Sequence, residues 1–364
     1  MANRYSYVYN LDKHLESTLF GGAILSTNQT THKNHYIPQF YLKSWSQDGI
    51  SIYTYSLLVP DSRIPYWSRK KIKSTAVWND FYTRNEGQKE IDDFEKWFDK
   101  EFESPAKKVF DKLLNGHKLY KDESRQLSRF VGAQYLRTPA RLNDLMARWH
   151  TKMPPIFDDV VQKAVKKLEA NPQLISSQQE LSEEAKLLPI KISVNKDTHQ
   201  MKVESLLGKG MYLFALKHLL TNTVSVLENH KWHVIHAANG VSFPTSDDPV
   251  ICLNYNSEHE YDFKGGWGKK NGNIIMPISP TLLLITQIGS NISSIQLDFS
   301  EHWSKFFRKI IIEHAHRYVY AIEPQKGMLA INPRRIDAAL FEREKGIMAG
   351  WHEEQKEAET QLDI

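Results

Sequence analysis

WHVIHAANGVSFPTSDDPVICLN, residues 232–254, is where the chain returns to strands after a long helical region, and that return decides the fold. Residues 232–238 and 241–243 flank Asn239-Gly240, a dipeptide that accepts the positive φ angles of a two-residue hairpin. Residues 250–254, 274–278 and 282–288 add three strand expectations, the last two joined at Ser279-Pro280. A helix over 301–315, a short strand over 318–322 and a charged C-terminal helix complete this part.

Upstream, residues 88–230 read as mainly helical. Ile91, Phe94, Phe98, Phe102, Ala106, Val109 and Leu113 recur at steps of three and four, with Pro105 as an interruption, Ser104 as a cap and an end near Gly116. Leu127, Val131, Thr138, Leu142, Leu145 and Trp149 mark the next helix, and Pro154-Pro155 suggests a break before 156–168. Residues 171–198 are polar and read as a surface excursion; a last long helix is expected over 203–227. Before all of these, residues 35–45 and 50–58 read as a strand pair around Gln47-Asp48-Gly49.

Strands, helices, strands, helix is the order of an α+β fold. The expectation is a mixed or antiparallel sheet built from N-terminal and C-terminal strands, with the helical middle region packed on it. Residues 1–31 form an N-terminal extension, 32–330 a single α+β domain, and 331–364 a charged C-terminal helix.

Composition sets limits on the class. Apolar residues are 41% and charged residues 25% of 364, an ordinary globular balance. Lys and Arg number 47 against 43 Asp and Glu, so net charge alone argues for no nucleic-acid partner. Cys252 is the single cysteine, which excludes a disulfide framework and points to a reducing, cytoplasmic location. No secretory signal is visible at the start, and no apolar run reaches the roughly 20 residues of a membrane helix. Motifs for phosphate loops, dinucleotides, His-Glu-x-x-His zinc and Gly-x-Ser-x-Gly nucleophiles are missing, so no nucleotide or haem cofactor signature is present.

Chemistry is suggested where polar residues interrupt apolar faces. At 100° per residue Gln134 lies in line with Leu127, Val131, Thr138 and Leu142, with Arg137 and Arg141 within about 60° of it. Buried, such groups need carboxylates or an anion opposite them, because an unpaired buried charge is expensive. Glu103, beside the Ser104-Pro105 break, is the candidate partner. Thr245-Ser246-Asp247-Asp248-Pro249 follows a strand directly, a place where carboxylates can serve a metal or a reaction; the same residues could simply form a self-bonded turn. His35 opens a stretch in which His35, Ile37 and Gln39 would share one strand face.

Weaker signals are His230, His233 and His236 at three-residue spacing, and His314 with His316, which do not face one another on a helix. Arg69-Lys70-Lys71 between Trp67 and Trp78 could grip phosphates, and Gly265-Gly266-Trp267-Gly268 with Lys269 and Lys270 reads as a mobile loop able to approach an anion. Asp248 with Asp262-Phe263-Lys264 has the acid-then-acid-x-Lys spacing of a nuclease class.

Asn34-His35-Tyr36-Ile37-Pro38-Gln39-Phe40-Tyr41-Leu42-Lys43 resembles the opening motif of a bacterial family, domain of unknown function 4238. Glu103, residues 134–139, 243–250 and 277–280 are similar to its later motifs in the same order, over about residues 34–322. The resemblance implies one contiguous module and brings no mechanism with it. It also implies a more variable position at Asp248, which makes Asp247 the preferred carboxylate.

The leading expectation is a metal-dependent phosphodiester hydrolase, nuclease-like. His35, Glu103 and Asp247 would be catalytic, with Asp247 and Glu103 holding Mg or Mn. Gln39, Gln134, Arg137, Thr245 and Ser246 would bind the substrate, a nucleic acid or nucleotide. The alternative is a non-catalytic binding module whose polar cluster is a structural network, and a third is a transferase or hydrolase for a small nucleotide with Arg137 as anion clamp.

Overall fold

A computed structural model describes residues 3–10, 32–86, 89–170, 190–195, 200–289 and 300–362. The fold is α+β. Its strands pair antiparallel except for Arg335–Ile336, which runs parallel to Leu58–Val59.

The largest sheet has five strands, in the order His233–His236, Leu282–Gln287, Asn273–Ser279, Ile251–Ser257, Glu260–Asp262. Alternate side chains leave its two faces. Ile274, Met276 and Ile278 enter the main core, where they meet the helical region through Phe110, Phe130 and Tyr212. Ile275, Leu283 and Ile285 pack on the opposite face against Phe306, Phe307 and Ile310 of the helix Glu301–His314.

N-terminal and C-terminal strands do meet, in a second sheet. Tyr318–Ala321 lies between Ser51–Ser56 and the two-residue strand Thr245–Ser246, and Trp67–Lys71 borders Ser51–Ser56 on its other side. The expected pairing of 35–45 with 50–58 is not formed. Only Lys33–His35 is a strand, paired to Val77–Asn79, and the chain then turns helical at Gln39–Leu42 and Lys43–Trp45. Pro38 supplies the extended residue before that first turn, and burial of Tyr41, Leu42 and Trp45 outweighs their strand preference.

Other boundaries shift for identifiable reasons. Asp93–Phe98 continues through a π-turn, Asp99–Glu103, into Ser104–Leu114. There the Ser104 N–H reaches back to the Asp99 carbonyl, a wide turn that carries the helix past Pro105. Lys121–Leu136 stops where Thr138 precedes Pro139, since the residue before proline avoids helical angles. A new helix, Pro139–Ala170, begins at that proline and runs through Pro154 and Pro155 without the expected break. The segment expected as one helix over 203–227 opens with a strand, Gln200–Leu207, before the helix Lys209–His218. That strand lies between Asn3–Asn10 and Ile190–Asn195. Ile190–Asn195 is thus the strand within the expected polar excursion, whose other residues before Gln200 lie outside the described ones. Asn239-Gly240 makes a turn, with Gly240 at φ 81°, but no hairpin, because 233–236 pairs with 282–285 instead. The charged C-terminal helix is Ala338–Leu362. Among the described residues no helix is long and apolar enough to cross a membrane.

Candidate functional site

The helix end at Leu136 places Arg137 inside the protein. Arg137 is 1% exposed, and its Nη1 donates to Glu103 Oε1 at 2.5 Å. Nε and Nη2 donate to Gln134 Oε1 at 3.2 and 3.1 Å, and the guanidinium lies over the Phe98 ring. Gln134 completes its amide by donating through Nε2 to the Tyr36 carbonyl at 3.0 Å. The last carbonyls of the helix need partners, and two phenols provide them: Tyr212 donates to Leu136 and Tyr82 to Arg137. Gln134 and Arg137 therefore face inward with an acidic partner, through a network tied to the opening motif.

His35 borders this network. Its Nε2 is buried with no hydrogen-bond partner, and burial lowers its pKa while Glu103 acts in the opposite direction. Glu95 lies nearby; burial raises its pKa to about 7, and Asn34 donates to it.

The Asp247 side is separate. Thr245 and Ser246 pair with Tyr320 and Val319, which brings Asp247 beside the start of the neighbouring strand. Its Oδ1 accepts from the His316 N–H at 2.9 Å and Oδ2 from the Arg317 N–H at 2.8 Å. Burial dominates even so, and pushes its pKa up to about 7. Asp248 turns the other way. It accepts from Thr138 and, at 2.8 Å, from Arg141, with the His314 ring against its backbone carbonyl. At 1% exposure Asp248 is the buried counter-ion of Arg141.

These positions correct the proposed ligand set. Glu103 is engaged by Arg137, and both Asp247 oxygens accept backbone N–H groups elsewhere. Among the described residues no three His, Cys, Asp or Glu side chains converge as metal ligands, so His35, Glu103 and Asp247 do not form one centre. Gln39 is exposed at the start of its short helix. Thr245 is buried with its hydroxyl on the Tyr41 phenol, and Ser246 Oγ accepts from the Asp248 N–H, a self-bonded turn.

Several of the weaker signals take part in structural contacts. Asp262 accepts from Asn254 and the Lys264 N–H, remote in role from the buried Asp248. Gly265 is required by close packing, since a Cβ there would lie 2.7 Å from the Cys252 carbonyl oxygen. Arg69 pairs with Asp48, and Lys70 lies over the Tyr318 ring.

What the two motif regions share is a cavity of about 670 Å³. Tyr36 from the opening motif and Asp247 line it, together with Trp78 and Tyr318. Its far wall is the C-terminal helix, held by the Arg317–Glu344 ion pair and by the Trp78 indole N–H on the Met348 carbonyl. Arg343 and Lys345 line it from that wall and are exposed, Lys345 in an ion pair with Glu342. This wall was not legible from residue patterns, because its residues belong to a charged tail without a motif. The role of His316 and Arg317 was equally hidden, since they act on Asp247 through backbone N–H groups.

No curated protein and no solved structure matches the chain. The model of the family described as "Protein of unknown function (DUF4238)" matches residues 33–324, most of the chain, and the protein belongs to that family.

Proposed function

We propose that the chain is a binding module for a nucleotide or the end of a nucleic-acid strand, acting in the cytoplasm. The observation that carries this reading is the cavity. Its volume lies within the 300–1,000 Å³ typical of small-molecule sites, and its lining combines aromatic and apolar side chains with the charged groups of Asp247, Arg317, Arg343, Glu344 and Lys345. Arg343 and Lys345 suit phosphate, while Tyr36, Trp78 and Asp247 suit a planar ring. The Gln134–Arg137–Glu103 network then has a structural task, holding the Tyr36 backbone at the cavity wall. The reducing environment agrees with Cys252, which is buried and unpaired with any other cysteine.

The test is calorimetric titration of the purified chain with nucleoside monophosphates, and with short single strands of DNA and RNA. Binding that weakens at least tenfold in a variant with Arg343→Ala and Lys345→Ala is expected. No binding of any of these ligands sinks the proposal.

A second reading is phosphodiester hydrolysis, favoured by one observation: the Asp247 carboxyl lines the cavity, and burial pushes its pKa up to about 7, a range suited to proton transfer. Mg or Mn would then arrive with the substrate phosphates, as is common for Mg, and not in a preformed cage. Cleavage of labelled DNA or RNA that requires Mg or Mn, stops with chelator and falls with Asp247→Asn would move the assignment to this reading.

A further inference from the structure

We propose that the cavity takes the end of a single-stranded nucleic acid, and that Tyr66 with Arg334 stacks a base further along the same strand. The inference rests on the nucleotide-binding reading and chooses the strand over the free nucleotide.

Tyr66 closes the exposed segment 62–66 and is itself 50% exposed, although its ring lies parallel to that of the buried Tyr55. The Arg334 guanidinium lies over the Tyr66 ring, 4.3 Å from its centroid. Backbone holds it there: Nη1 donates to the Ile64 carbonyl at 2.8 Å and to the Pro65 carbonyl at 3.2 Å. Those acceptors are neutral and leave the charge uncompensated. Asp61, Asp337, Glu342 and Glu344 pair with Arg63, Arg335, Lys345 and Arg317, and among the described residues Arg334 and Arg343 are left with no acidic ion-pair partner.

Strand register makes the stack and the cavity neighbours. Tyr55 pairs with Val319 on one side and with Trp67 on the other, so the residues before these two, Tyr318 and Tyr66, lie two strands apart, about 10 Å. Tyr318 lines the cavity. Arg335, next to Arg334, pairs with Leu58, which lines it as well. A strand that advances about 3.4 Å per nucleotide covers this distance in about three nucleotides. Every base has a π-face for a phenol or a guanidinium, so the stack accepts any of them. Arg343 at the cavity and Arg334 at the stack attract the phosphates between. A mononucleotide held in the cavity does not reach the stack, and an acidic peptide would answer the charges but not the ring.

The experiment is calorimetric titration of the full chain with the monomer and the tetramer of thymidylate, and with tetraglutamate. The tetramer should bind at least tenfold more tightly than the monomer, and tetraglutamate should not bind measurably. In Tyr66→Ala most of the tetramer's advantage should be lost, whereas Tyr66→Phe, which keeps the ring, should retain it. Arg334→Ala should reduce both the advantage and its dependence on salt. The comparison of tetramer with monomer changes only the ligand, so it decides for or against the strand even where a variant fails to fold. Equal affinity for the two, or an advantage that survives in a folded Tyr66→Ala, overturns the stacking site and leaves the nucleotide-binding reading standing. Tetraglutamate bound as tightly as the tetramer overturns the strand in favour of an acidic peptide. No binding of monomer or tetramer overturns both readings.

Discussion

Gln134 donates to the backbone carbonyl of Tyr36 across 98 positions of sequence, so the helix that carries Arg137 fixes the residue whose ring walls the cavity. The bond gives the buried Arg137–Glu103 pair a purpose that the pair alone would not have. Arg137 spends its donors on Glu103 and on the Gln134 oxygen, which orients the Gln134 amide toward Tyr36.

Arg137→Ala should therefore be strongly destabilising. It leaves Glu103 without its charge partner, frees the Gln134 oxygen and opens space beside Phe98; breaking a buried pair in this way costs about 3–5 kcal/mol. Urea unfolding of the two proteins measures it. A loss within about 0.5 kcal/mol, the size of a surface change, would show that the network holds nothing.

Arg141 and Asp248 form a second such pair, joining the helix Pro139–Ala170 to the turn after Ser246. Asp248→Ala removes the acceptor of both Arg141 and Thr138 and should cost about 3–5 kcal/mol. Because the two side chains touch, a double-mutant cycle with Arg141→Ala should give a coupling on the order of 0.5–3 kcal/mol. Additive losses would mean that the contact contributes nothing of its own.

The sequence made some of this visible and concealed the rest. Period-three spacing showed that Gln134 and Arg137 lie inward, and that required an acid, which Glu103 is. It could not show that Thr138-Pro139 ends the helix, and so it left Arg141 beside Arg137 when the break directs them to Glu103 and Asp248 respectively. Aromatic residues at 36–45 looked like a strand because side-chain preference is local, whereas their helical turn is set by burial against distant elements. Asp247 was singled out by its place after a strand, yet its partners are backbone N–H groups at His316 and Arg317, which no side-chain pattern reveals. The wall of the cavity comes from a tail whose residues have meaning only once the helix is docked.

Asp247 should make stability depend on pH. Its folded pKa of about 7 lies above the unfolded value of about 3.9. Between those values the folded state holds the proton more tightly, so its stabilising contribution is full below about pH 4 and is lost as pH rises through 7. The charged and titratable groups around it are Asp248, His316 and Arg317, Tyr36, Tyr318 and Tyr320, with Glu344 across the cavity. Unfolding free energy compared across this window should fall with pH by up to about 1.4 kcal/mol per unit more steeply in the wild type than in Asp247→Asn. Parallel profiles for the two proteins would refute the raised pKa.

Lys209 supplies the opposite slope and tests how the C-terminal helix is held. It is 1% exposed, donates to the Asp80 carbonyl, and meets His352 Nδ1 of that helix at 2.6 Å, while its backbone N–H donates to Gln355. Burial lowers its pKa to about 7, against the pull of Asp80, Glu359, Glu90 and Glu353; the His352 ring stands between Lys209 and Glu90. In the unfolded chain the amine titrates near 10.4, so between about pH 7 and pH 10 the unfolded state binds more protons. The sign follows: stability from this group is present above pH 10.4 and is lost as pH falls through 7. Lys209→Met keeps much of the packing against Trp351 and removes the titration. Its stability should therefore exceed that of the wild type by a margin that shrinks as pH rises from 7 to 10, by about 1.4 kcal/mol per unit at most. Unfolding curves followed by tryptophan fluorescence measure the margin, and a margin constant across that window would show that Lys209 titrates as it does in water.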